Sequence, residues 1–119
     1  MKQVYEIALL YDFYGELLTE SQREILRMYY FEDLSLGEIS ETRGASRSAA
    51  HDLIRRSEAK LRDYEERLHL IERFHNQSRQ YEEVMELVRQ AREEAQEPER
   101  VRTLLGEVLE RSKALRESW

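Results

Sequence analysis

Three helix-start signals crowd into residues 19–46. Thr19 is followed three places on by Gln22, and Ser35 by Glu38. In that spacing the hydroxyl accepts from the backbone of the third residue, whose own side chain reaches back to the cap. Ser46 supplies a third start, two residues after Gly44. Only residues 36–43 remain for a helix between Ser35 and Gly44. Such a segment is one of short helices that bury their apolar faces against one another. With 4 Gly and 1 Pro in 119 residues, a turn-rich β protein and a Gly-rich phosphate loop are both excluded, and the fold class expected is all-α.

Four short helices fit the first half. Val4, Ile7, Ala8, Tyr11, Tyr14 and Leu18 share helical spacing over roughly 3–17. The helix capped by Thr19 should point Ile25, Leu26, Tyr29 and Tyr30 inward, and the one capped by Ser35 should point Leu36 and Ile39 inward. Gly44 breaks that third helix, in a left-handed conformation a side chain would resist. The fourth starts at Ser46 and runs through Leu53, Ile54 and Leu61, with Ala49 and Ala50 also inward. The seven tyrosines read as core and rim packing, since they alternate with aliphatic residues on the inward stripes.

Residues 35–54, SLGEISETRGASRSAAHDLI, carry the functional signal. Two short helices joined by a tight Gly turn, the second Ser-capped, form a helix-turn-helix pattern. The second helix must offer a small polar end to a groove, which Ser46, Arg47 and Ser48 supply. His51, Arg55 and Arg56 then face outward, towards bases or phosphates. These six residues are the candidate nucleic-acid-binding set. Asp52 lies among them, where a carboxylate accepts from cytosine but repels phosphate.

The stretch LTESQREILRMYYFEDLSLGEISETRGASRSAAHDLIRRSEAKLR, residues 18–62, resembles region 4 of RNA polymerase sigma factors. The preceding LLYDFYGELLT, residues 9–19, is similar to the start of the YlxM family of small bacterial helix-turn-helix proteins. The likeness covers about residues 8–75, and the tail matches only in character. It implies a DNA- or RNA-binding regulatory protein of the bacterial cytoplasm, associated with the signal recognition particle pathway. There are departures. Arg43 stands where both families usually place Leu or Phe, so its stem must snorkel outward. Ala45 and Ala50 stand where Val is commoner, each losing about two methylenes of burial.

Other classes are disfavoured. Net charge is −6, which excludes a generally basic coat protein but not a local basic face. The balance is −5 over residues 1–45, +1 over 46–75 and −2 over 76–119. The absence of Cys removes disulfides, thiolate metal sites and Cys nucleophiles, and His69 and His75 are poorly spaced as ligands, so neither metal nor cofactor is expected. Glu65-Glu66, Glu82-Glu83 and Glu93-Glu94 read as solvated face, and no enzyme is expected. No apolar run reaches membrane-spanning length, and the first residues lack a signal-peptide layout. A cytoplasmic protein without membrane insertion is the expectation. The competing function is a protein–protein adaptor that keeps the helix-turn-helix shape without nucleic-acid affinity. It is favoured by the acidic balance, Asp52 and Arg43.

The expected organisation is a helix-turn-helix domain over 1–63 and a helical extension over 64–119. Residues 64–96 lack Gly and Pro and form one bent helix or two. Pro98 then opens a last helix over 98–117. Phe74, Tyr81, Val84, Val88, Leu104, Leu105 and Leu109 exceed what a domain about 27 Å across can cover. A homodimer through residues 64–117 follows.

Overall fold

A computed structural model describes residues 3–118. Six α-helices follow one another: α1 (Val4–Tyr14), α2 (Glu20–Leu26), α3 (Leu36–Arg43), α4 (Arg47–Leu68), α5 (Leu70–Glu93) and α6 (Pro98–Glu117). A 3₁₀ turn, Gly15–Leu17, ends α1, and a wide π-turn, Arg27–Phe31, extends α2. There is no strand among the described residues, so the all-α class holds.

The helix boundaries follow from local chemistry. At Thr19 and at Ser35 both halves of the capping box are formed. The Ser46 hydroxyl accepts from Ala49 N at 3.0 Å. Gly44 has φ 67° and closes α3 in the left-handed conformation. Pro98 occupies the first turn of α6. Residues 64–96 are divided between two helices: His69, with φ 55°, ends α4 and separates it from α5.

The chain divides into two compact units, Met1–Ile71 and Glu72–Trp119. In the first, Ile7, Leu10 and Tyr14 of α1 meet Ile25 and Leu26 of α2, Ile39 of α3 and Ala50, Ile54 and Leu61 of α4. The π-turn changes which aromatic positions face in. Its extra residue per turn rotates the chain, so Met28 is buried while Tyr29 and Tyr30 sit half-buried at the rim. Ala49, expected inward, is exposed, and the inward row of α4 is Ala50, Ile54, Ser57 and Leu61. Ser57 fits this row because its hydroxyl donates to Leu53 O at 2.7 Å. Ala45, expected to pack, is exposed, while Ala50 is buried. Tyr5 is exposed and Tyr81 half-exposed, so neither is a core tyrosine.

A bond network within the first unit joins Tyr14, the end of α4 and the first residues of α5. Tyr14 reaches across the sequence to donate its hydroxyl to the Glu65 carboxylate. The same hydroxyl accepts from Leu70 N at 3.1 Å, and Glu65 Oε1 accepts from Ile71 N at 3.0 Å. Glu65 therefore caps the first turn of α5 instead of belonging to a solvated face. Burial, and then the bond to Glu65, raise the Tyr14 pKa above the ordinary tyrosine value.

In the second unit α5 and α6 bury Leu87, Ala91 and Leu104 between them, with Val108 against these. Leu104, expected in an exposed patch, belongs to this small core. No helix among the described residues is long and apolar enough to cross a membrane.

Candidate nucleic-acid interface

The turn positions the candidate surface. Left-handed Gly44 reverses the chain after α3, and Ser46 then restarts it with Ser46, Arg47 and Ser48 exposed and Ala50 turned into the core. All six candidate residues, Ser46, Arg47, Ser48, His51, Arg55 and Arg56, are exposed. At 3.6 residues per turn five of them, together with Asp52, fall into two rows. Arg47, His51 and Arg55 form one. Ser48, Asp52 and Arg56 form the other.

The first row borders α3 and the end of α2. The Arg47 guanidinium lies across the start of α3, over Gly37, where a Cβ would come within 2.7 Å of Nη2. A bare Cα at residue 37 makes that approach possible. His51 and Arg55 line an open groove together with Tyr29, Tyr30, Glu58 and Arg62. Across it Tyr30 donates its hydroxyl to Glu58. Burial, and then that bond, raise the Tyr30 pKa well above the ordinary value.

The arginines of α4 differ in how they are neutralised. Arg62 pairs with Glu6 at 3.2 Å and Glu58 at 3.6 Å, and Arg67 pairs with Asp63 at 3.1 Å. Among the described residues, Arg47, Arg55 and Arg56 make no salt bridge within 4.0 Å. Arg56 donates only to the Asp52 carbonyl, at 3.5 Å. The unneutralised arginines thus sit in the first three turns of the helix, and the paired ones lie beyond. Asp52 is exposed between Ser48 and Arg56, which makes the Arg47–His51–Arg55 row the more positive of the two.

Arg43 is not part of this face. Its guanidinium donates to Ser21 Oγ at 2.6 Å and lies 3.9 Å from Glu24 Oε2, tying the end of α3 to α2. The snorkelling expected of Arg43 takes this form. No group of three or more His, Asp or Glu able to hold a metal occurs among the described residues.

These features, a left-handed Gly turn between two capped helices and an exposed polar start to the second, define a helix-turn-helix protein. The UPF0122 family, described as "Putative helix-turn-helix protein, YlxM / p13 like", matches residues 1–101. The chain belongs to this family. A UPF0122 protein of Symbiobacterium thermophilum is 61% identical over 71 residues, 60% of this chain and 66% of the relative. One from Desulforamulus reducens is 51% identical over 71 residues, covering 60% and 61%, and one from Oceanobacillus iheyensis is 59% identical over 64 residues, covering 54% and 61%. The chain thus spans less than two thirds of the length of the curated relatives it matches.

Proposed function

We propose that the protein is a DNA-binding regulator that docks the N-terminal half of α4 on a nucleic-acid groove. The observation that carries this reading is the contrast along α4, with Arg47, Arg55 and Arg56 unneutralised and Arg62 and Arg67 ion-paired. Exposed guanidinium groups next to a small, Ser-capped helix start fit phosphates that flank a groove. Duplex DNA is favoured over duplex RNA, because the B-form major groove admits a helix and the A-form major groove does not. Through the family resemblance, the regulatory target belongs to the signal recognition particle pathway in the bacterial cytoplasm. The first unit, which carries the helix-turn-helix, reads nucleic acid, and the second unit pairs two copies. The protein binds without catalysing a reaction and needs no metal or cofactor.

Asp52 favours the second reading, an adaptor that keeps the fold but binds protein, since an exposed carboxylate in the docking helix repels phosphate. Binding of Arg47→Ala, Arg55→Ala and Arg56→Ala variants to a random duplex DNA pool and to particle RNA separates the two. The DNA reading expects each single change to weaken duplex binding with helicity unchanged. A triple variant that binds duplex as wild type would remove this surface, and a wild type that binds neither nucleic acid at low salt would leave the adaptor.

A further inference from the structure

The second unit is a pair of helices with too little interior of its own. Three residues, Leu87, Ala91 and Leu104, are buried in it. A unit this small ordinarily needs a disulfide, a metal or an added chain to hold together. The sequence has no Cys, and the described residues hold no metal-binding group. Meanwhile a second set of apolar side chains stays open. Phe74 is 51% exposed, Tyr81 54%, Val88 39%, Leu105 48% and Leu109 72%.

On each helix these residues lie to one side of the buried row. Phe74, Tyr81 and Val88 recur every seven residues along α5, the spacing of a helix seam that meets another helix. On α5 this seam lies about a quarter-turn from Leu87 and Ala91, and on α6 Leu105 and Leu109 lie a similar angle from Leu104. In an antiparallel pair both rotations lead to the same side. A groove lined by Phe74, Tyr81, Ser112, Leu115 and Arg116 bridges the two helices on that side.

We infer that this face binds the same face of a second copy of the chain, making a four-helix bundle of two α5–α6 pairs. The inference deepens the dimeric part of the proposed function and does not depend on nucleic acid. Area supports a second copy. With aromatic side chains offering about 150–250 Å² each, the five half-open residues present roughly 500 Å² per copy. Doubled, and with a polar rim, that reaches the roughly 1,200 Å² at which specific interfaces begin. Charge does not oppose it. The groove carries one acid, Glu82, and one base, Arg116, so it holds no net charge that would repel a second copy.

Sedimentation equilibrium of the full chain, without nucleic acid, tests this together with Tyr81→Glu, Leu109→Glu and the conservative Tyr81→Phe. The wild type and Tyr81→Phe should sediment at twice the 14.4 kDa chain mass. Each glutamate variant should raise the dimer dissociation constant at least ~30-fold, the loss expected at a central contact. Circular dichroism on the same samples keeps the test decisive. Leu109 is exposed within one chain, so a loss of helicity in Leu109→Glu also shows that a partner buries it. A wild-type mass of one chain at a hundred micromolar would overturn the inference. So would dimers unchanged in both glutamate variants.

Discussion

Tyr14→Phe removes one oxygen from the interior of the first unit and leaves the ring in place. The hydroxyl has two bonds across the α4–α5 junction: it donates to the Glu65 carboxylate and accepts from Leu70 N at 3.1 Å. Ring packing against Phe13 and Tyr64 is unaffected, with centroids 6.2 and 6.0 Å away. The cost is therefore polar. A bond to a charged group contributes about 1.5–3 kcal/mol, and a buried donor left without its acceptor costs about 1–3 kcal/mol. Part of this is recovered by local relaxation, so the expected loss is about 2 kcal/mol. Urea unfolding followed by near-ultraviolet tyrosine dichroism reports this unit, because six of the seven tyrosines lie within it. With an m-value of about 2 kcal/mol per molar, the midpoint should fall by about 1 M with m unchanged. Combined with Glu65→Gln, the double-mutant cycle should give a coupling of at least ~1 kcal/mol. A loss below about 0.5 kcal/mol, the range of an ordinary surface change, would refute the junction network.

Gly44→Val should destabilise by about 1–3 kcal/mol in thermal unfolding. A Cβ there meets no atom within 4 Å, so the cost is backbone strain at φ 67° and not a clash. Ser46→Ala should cost about 0.5–2 kcal/mol by removing the bond to Ala49 N, read by chemical denaturation. Stability should fall as pH rises above about 10. Tyr14 and Tyr30 both have raised pKa values when folded, so the unfolded chain loses these protons first and gains relative to the fold. Replacing both tyrosines by Phe should flatten stability-versus-pH curves there.

What could be read from the sequence is what acts over three or four residues. The boxes at Thr19 and Ser35, the Gly44 turn, the Ser46 cap and the Pro98 start are each a contact between a side chain and nearby backbone, so spacing suffices to find them. The exposed set on α4 followed from the same turn. The missed features depend on distant partners. In sequence Glu65 is one of several paired acids, and its role depends on Tyr14, 51 positions away. Arg47 lies across Gly37 because α3 and α4 meet there, and no local pattern marks that contact. The π-turn at Arg27–Phe31 moved Met28 inward against simple periodicity. His69 carries no ordinary sign of a helix end. It takes a left-handed angle that Gly or Asn would adopt more readily, and one signal, the reach of Glu65 to Ile71 N, becomes visible only in three dimensions.

The central claim is that arginines at the start of α4 meet phosphates, and the salt dependence of duplex binding tests it most directly. Each phosphate neutralised contributes about −0.9 to the slope of log K against log salt. Arg47, Arg55 and Arg56 together predict a slope near −3 per chain, roughly zero in the triple alanine variant. A wild type whose binding is flat with salt, or one that binds no duplex at low ionic strength, would contradict the account.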